Sequence, residues 1–375
     1  MNWLTRAEAL SRLNVKPQTL YAYVSRGLVA ARPAEHDPRA SLYAGPDIDA
    51  LTRRKRAGRS REAIAQRTIA FGDPVLESAI ATVRDGRLIY RGEDAIGWAE
   101  RATLEDTAAL LWSRELSRAP ENNTVPRGAT GKARGFAYLA QRAAEDAPSF
   151  GRSNSALAEE AFGLLSGMTN ALAGAASPGA AHMRLATAWG LSKKRAEVLR
   201  RALVLVADHE LNPSTFAARV AASTGAPLAA AALAGYATLT GPLHGEAATR
   251  AVAFLEAAAR EGAKAAVSAL LARAETPPAI GHSLYPNGDP RASYLLEILN
   301  PRPAIAAAIA ASESAGGDHA NIDLALAALT IEFDLPHDAP FQIFAAGRMV
   351  GWLAHAMEQR EHGRVIRPRA RYIGP

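Results

Sequence analysis

"LTGPLHGEAATR", residues 239–250, sets His244 between a Gly-Pro turn and an Ala-rich helical run. The dipole at a helix N-terminus favours negative charge, so an imidazole there is better neutral than protonated. A neutral imidazole still carries one N–H that can be donated. Taken alone, the stretch allows two roles for His244: a capping or packing side chain, or a neutral hydrogen-bond donor within a site. Which role applies depends on what the remaining sequence brings to it.

The chain has 375 residues. At roughly 150 residues per domain that predicts two or three domains. Hydrophobic residues make up 49%, enough for a large core, while aromatics reach only 6%. Cysteine is absent, which excludes disulfides, thiolate catalysis and Cys-ligated zinc and fits a reducing compartment. The opening "MNWLTRAEAL" carries Arg6 and Glu8 and does not read as a signal peptide. No apolar run approaches the roughly 18 residues of a membrane span. The expectation is a soluble, cytoplasmic protein. Net charge is +6, and all of it falls in residues 1–62, which hold twelve Lys/Arg and six Asp/Glu. Half of those basic residues lie in "RRKRAGRSR" (53–61), which reads equally as a solvated linker.

The front module reads as two helices and a wing. "LTRAEALSRL" has Thr5 and, three residues later, Glu8, the spacing of a capping box. Pro17 suits the first turn of a second helix, "QTLYAYVSRG", and Gly27 suits its end. "LVAARPAEHDPRASLYAGPDI" reads as a short wing, with a third helix from about Asp47. This segment, "TLYAYVSRGLV" above all, resembles the MerR-type helix-turn-helix family, whose second helix enters the DNA major groove. The resemblance implies DNA contact through residues 1–62. Outside 53–61, six basic residues (Arg6, Arg12, Lys16, Arg26, Arg32, Arg39) face six acidic ones. Such a surface binds phosphates weakly unless the module is dimeric or the basic run joins in. The competing reading is a packing or dimer element.

From about residue 69 the character changes. "ATVRDGRLIYRG" (81–92) predicts a strand pair turning at Asp85-Gly86. Apolar residues then recur at three- and four-residue steps, as in "ATLEDTAALLW" (102–112) and "KKRAEVLRRALVLVADHE" (193–210), which predicts helices over those runs. The longest irregular stretch is 117–131. There is no GxGxxG after a strand and no phosphate-binding loop, which argues against a nucleotide fold. The fold class predicted is mainly α, in several layers.

Three of the nine histidines sit in unusual settings: His209 in "ADHELNPST", His244, and His282 in "PPAIGHSLYPNGDPRA". His36, His182, His319, His337, His355 and His362 read as structural or surface residues. Asp323 opens an otherwise apolar helix, "NIDLALAAL". Arg291, Arg348 and Arg367 are far apart in sequence. Arg348 interrupts the apolar run "FAAGRMVGW", so it needs a buried anionic partner.

The second part of the chain, from about 72 to 375, resembles citrate synthase. The matching runs are "GRLIYRGEDAI" (86–96), "TLEDTAALLW" (103–112), "DHELNPST" (208–215), "TGPLHGEA" (240–247), the "GH" at 281–282 with "YPNGDPRA" (285–292), "NIDLALAAL" (321–329), "PFQIFAAGRMVGWLAHAMEQ" (340–359) and "IRPRARYIG" (366–374). The resemblance implies an all-helical large domain (72–245 and 346–375) and small domain (246–345), after the helix-turn-helix (1–56) and a basic linker (57–71). It implies condensation of acetyl-CoA with oxaloacetate to citrate and CoA, the entry step of the tricarboxylic acid cycle, with the acyl-CoA as substrate and neither metal nor resident cofactor. Asp323 would take the methyl proton. His244 would donate to the thioester oxygen and His282 to the ketone of oxaloacetate. His209, Arg291, Arg348 and Arg367 would hold oxaloacetate, Arg367 from the other subunit of a homodimer. Pro277, Pro278, Ala279, Ile280 and Gly281 would contact CoA.

Some positions depart from that family's pattern. Glu246 stands where a second glycine is common, Ser283 where arginine is common, and Leu324-Ala325-Leu326 where an aromatic-Ser-Gly run is usual. The helix-turn-helix also replaces the β-rich front segment of some members. These departures leave the acyl group open. Propionyl-CoA, giving 2-methylcitrate, is the alternative, since one methylene is worth only about 1–3 kcal/mol of discrimination. A DNA-binding metabolite sensor on the same fold is the other.

Overall fold

A computed structural model describes residues 3–25, 28–34, 41–57, 76–116, 125–370 and 372–374, with the backbone alone for 53–57. Gly27, Arg26, Arg39, the side chains of the 53–61 run, the linker beyond residue 57 and residues 117–124 lie outside the description. The chain divides into two compact units, Met1–Glu77 and Ser78–Pro375.

In the first unit, Thr5 caps α1 (Arg6–Leu13). Its hydroxyl accepts from Glu8 N, and the Glu8 carboxylate accepts from Thr5 N at 2.8 Å, so two orphan donors are satisfied reciprocally. Pro17 opens α2 (Pro17–Ser25). Strands β1 (Trp3–Leu4), β2 (Ala31–Pro33) and β3 (Ser41–Ala44) form an antiparallel sheet in the order β1-β3-β2. The third helix, α3 (Gly45–Ala57), starts two residues before Asp47, whose carboxylate accepts from Ala30 N. Leu4, Ala9, Leu13, Leu20, Val29, Tyr43 and Ile48 make a small core.

The second unit begins with β4 (Ala81–Arg84), β5 (Arg87–Tyr90) and β6 (Glu93–Asp94). Asp85 and Gly86 both have positive φ, 52° and 72°, as a two-residue type I′ turn demands. Fourteen described helices follow. The first seven are α4 (Ala95–Arg101), α5 (Leu104–Trp112), α6 (Gly131–Glu145), α7 (Asn154–Ala173), α8 (Ala181–Ala188), α9 (Lys193–Leu205) and α10 (Pro213–Ser223). The rest are α11 (Leu228–Leu239), α12 (Ala247–Glu261), α13 (Ala263–Ala272), α14 (Pro290–Leu299), α15 (Pro303–Gly316), α16 (Ile322–Phe333) and α17 (Ala339–His362). None of the described helices is long and apolar enough to cross a membrane.

Helix α17 is apolar on every side and buried almost throughout from Ala339 to Met357, so it forms the axis of the main core. Two glycines let it lie close to its neighbours. A Cβ on Gly347 would fall 2.6 Å from Leu203 O, and one on Gly351 would fall 2.3 Å from Asp208 Oδ1. A second core gathers residues of α12, α13, α15 and α16. Helix α16 serves both: Ile322, Ala325, Leu326 and Leu329 face the main core, Leu324, Ala327 and Ala328 the second. Asp323 sits in its first turn, where the two cores meet.

The expectation of a helix over 193–210 needs correction. Helix α9 ends at Leu205. The next residues bond elsewhere: Ala207 O accepts from Gly351 N, and Asp208 N donates to the Tyr90 hydroxyl. Tertiary partners outcompete a helical ladder whose apolar period continues.

Candidate active site

The loop before His282 is built rigidly. Pro277 and Pro278 are buried, and Ala279 and Gly281 take left-handed backbone, φ 58° and 78°. The loop is bonded to the strand-like entry of α16: Asn321 N donates to Ala279 O (3.1 Å), Gly281 N to His319 O (2.7 Å) and Asn321 Nδ2 to Gly281 O (3.0 Å). The same Asn321 caps α16, accepting from Asp323 N at 3.0 Å. One asparagine therefore fixes His282 relative to Asp323.

Asp289 adds a second tie. Its carboxylate accepts from Arg291 N, Nε and NH2 (3.0, 2.9 and 2.7 Å) and from Ile322 N (3.1 Å). Burial pulls its pKa upward, but Arg291 overcomes that and holds it below the usual carboxylate range. Arg291, 2% exposed, thus keeps two nitrogens on Asp289 and lies over the Tyr285 ring at 5.3 Å.

Around this tie the histidines converge. The His209 and His282 rings stand 5.0 Å apart, and His209 Nε2 is 2.9 Å from the Tyr285 hydroxyl. Burial, then the charges of Arg291 and Arg348, drives the His209 pKa far below its ordinary value. His282 is lowered by burial and then by Arg291. Its Nδ1 accepts from Leu284 N at 3.2 Å, so its proton sits on Nε2. His244 lies in the turn between α11 and α12, three residues ahead of α12, with Nε2 2.9 Å from Ser214 Oγ. Its pKa is lowered to about 4, by burial first and by Arg348 second. The neutral imidazole expected from a helix dipole is present, but burial is what keeps it neutral.

Arg348, 1% exposed, donates from Nε to Val206 O at 3.0 Å and stacks on Phe344, against which His244 also packs. Burial lowers its pKa to about 10, opposed by the negative charge of Asp208. Among the described residues no carboxylate lies within ion-pair distance of Arg348; Asp208 acts on it by charge alone, and its described side-chain partner is His355. Asp323 is raised to about 7, by burial, with Arg291 and Arg348 pulling it down and Asp289 pushing it up. The residue as a whole keeps some surface, but its Oδ1 has none and no hydrogen-bond partner. A carboxylate so placed is poised to take a proton.

Of the residues singled out from sequence, His209, His244, His282, Arg291, Arg348 and Asp323 come together. Arg367 does not join them: it is exposed on the extended tail after α17. Glu246 forms an ion pair with Lys132 at the start of α6 instead of capping α12. Leu324, Ala325 and Leu326 are core residues of α16, and Ser283 is exposed. Among the described residues no group of three or more His, Asp or Glu is placed to hold a metal ion. Ser214, Tyr285, Asp289, Asp208 and His355 belong to the site or its support but were not singled out from sequence. Tyr285, Asp289, Asp208 and Ser214 lie within quoted runs, which was the available signal. His355, fully buried, lies in the quoted run 340–359 as well, but in an apolar helix it read as a structural or surface residue.

Residues 173–369 match the family model described as citrate synthase, C-terminal domain. The chain is 37% identical over 192 residues to "Citrate synthase 2" of Bacillus subtilis, a match covering 48% of this chain and 51% of the relative. It thus spans about half the length of that relative. Over 364 residues it is 28% identical to a "2-methylcitrate synthase" of Shewanella oneidensis, covering 81% and 93%. Among solved structures it resembles the citrate synthase of Thermoplasma acidophilum, whose complex holds carboxymethyl coenzyme A and oxaloacetate. That likeness has a TM-score of 0.65 at 22% identity, covers 80% of this chain and 94% of that one, and speaks for the fold alone.

Proposed function

The chain belongs to the citrate synthase family, and we propose that its site condenses acetyl-CoA with oxaloacetate and water to give citrate and CoA. The observation that carries this is the gathering of an unpartnered, raised-pKa carboxylate with two neutral histidines and two buried arginines. Asp323 removes a methyl proton from the thioester as His244 donates a hydrogen bond to the forming enol oxygen; without that donor the methyl acid is too weak. Trp352 Nε1 donates to Ser214 Oγ, so the Ser214 proton is available to His244 Nε2 or to Asn212 Oδ1. Directed at Nε2, it leaves the imidazole proton on Nδ1 for the substrate. His282 Nε2–H polarises the ketone, and the enol carbon attacks it. Water then hydrolyses the resulting citryl-CoA.

Arg348 and the end of Arg291 not engaged by Asp289 pair with the substrate carboxylates, beside His209. Arg367 completes the set across a homodimer. The 277–281 loop takes the CoA adenine through its backbone. On this reading a small domain (246–345), to which we assign the second core, closes over oxaloacetate, excluding water before the enol forms. The scheme uses acyl-CoA as a substrate and no metal. Release of CoA thiol from acetyl-CoA with oxaloacetate tests it. Equal, slow release by wild type and Asp323→Ala would sink it. Faster turnover of propionyl-CoA would convert the assignment to 2-methylcitrate formation.

A second reading concerns the first unit, and an exposed polar face supports it. Gln18, Tyr21 and Ser25 lie exposed on α2 beside Lys16, and Arg32 of β2 stacks on Trp3 at 4.6 Å. We read this unit as a MerR-type helix-turn-helix whose α2 enters a DNA major groove. Fluorescence anisotropy of the full chain with duplex DNA should give binding that weakens with salt; no binding at low salt would leave a packing role.

A further inference from the structure

Three positions on one face of α17, spaced i, i+3 and i+7, grip three consecutive residues of the segment before His209. Arg348 Nε donates to Val206 O (3.0 Å) and Gly351 N to Ala207 O (3.0 Å), and His355 Nε2 lies 3.4 Å from Asp208 Oδ2. Tyr90 closes the grip, its hydroxyl donating to Asp208 O (3.2 Å) and accepting from Asp208 N (3.3 Å). Behind His355, Arg219 NH1 stands 3.1 Å from Nδ1. A guanidinium only donates, so Nδ1 accepts and the ring proton is on Nε2, aimed at Asp208. Arg219 is held in turn by Gln359 Oε1, Glu358 Oε2 and His362 Nδ1 at 2.9, 2.6 and 3.3 Å.

We infer that His355 is a positioning residue: by donating to Asp208 it sets where His209 stands and keeps a negative charge beside Arg348. Asp208, His355 and Arg219 are fully buried, and the condensation uses none of them. Burying charged groups in such a network gains no stability over a well-packed apolar set. What the network supplies is a definite position for the backbone segment that carries His209. Its kinetic consequence rests on the proposed condensation; its structural consequence does not.

The test uses the full-length protein with His355→Gln, which returns a donor nitrogen near Nε2, and His355→Leu, which returns only bulk. Both lose the acceptor facing Arg219, so both melt lower than wild type, and His355→Leu melts lower still because it also leaves Asp208 Oδ2 without its donor. In His355→Leu the KM for oxaloacetate should rise about tenfold, the scale of one buried hydrogen bond to a charged group, with the KM for acetyl-CoA unchanged. His355→Gln should recover most of that rise. With 15N-histidine labelling, His355 should report the Nε2–H tautomer, and the His209 signals should move in His355→Leu and return in His355→Gln. Equal kinetics in the two variants, both KM values rising together, an Nδ1–H tautomer or an unmoved His209 would each overturn the inference. If wild type turns over neither acetyl-CoA nor propionyl-CoA, the condensation falls and the tautomer with the His209 shift decides the inference.

Discussion

Asp323→Asn should make the protein more stable and inactive, and the gain should depend on pH. Burial raises the Asp323 pKa from 3.8 to about 7. The folded protein therefore binds a proton that the unfolded chain has released between those values, and stability is withdrawn as pH rises through that window. At about 1.4 kcal/mol per pH unit, the full withdrawal is about 4 kcal/mol. It is absent below pH 3.8 and complete above about 7. Asparagine stays neutral and escapes it. The two proteins should melt together near pH 4, apart from a constant offset for the amide. By pH 8 the variant should melt higher by about 5–10 °C for a unit of this size. The assay is thermal unfolding of both proteins across that range, read as their difference, which removes every other titration. Wild-type kcat/KM should fall about tenfold per unit below pH 7, because the base must be ionised. A melting difference that does not change with pH would refute the reasoning, as would a flat activity profile.

His244→Ala should lower kcat by about 10²–10³, the usual loss for one donor to a developing oxyanion, in saturating thiol-release assays. Gly351→Ala should destabilise by about 1–3 kcal/mol through overpacking, since its Cβ would meet Asp208 Oδ1 at 2.3 Å and Ala207 O at 2.5 Å; calorimetry reads the loss. Glu246→Gly should change stability by no more than about 1 kcal/mol, because its partner Lys132 is 34% exposed and water screens the pair. Mixing inactive Asp323→Ala with inactive Arg367→Ala should restore about a quarter of wild-type activity if arginine and base come from different subunits. No recovery after verified subunit exchange would place Arg367 outside the site.

What the sequence determined by itself is local. The Thr5–Glu8 box, the Asp85-Gly86 turn and the apolar runs of α16 and α17 depend on residues within a turn or two of one another, where the chain's own geometry dictates the contact. Resemblance extended this reach by bringing His209, His244, His282, Arg291, Arg348 and Asp323 into one proposed site. What only the tertiary structure decided is who meets whom. His209 and Tyr285 are 76 residues apart, and His355 and Asp208 are 147. No period or cap encodes such pairs. The helix predicted through residue 210 stops at Leu205 because Tyr90 and Gly351 offer its backbone other partners. Glu246 faces Lys132 because α6 packs there. Burial does the rest: it keeps His244 neutral and raises the Asp323 pKa to about 7, and burial is a property of the packed molecule, not of any stretch of its chain.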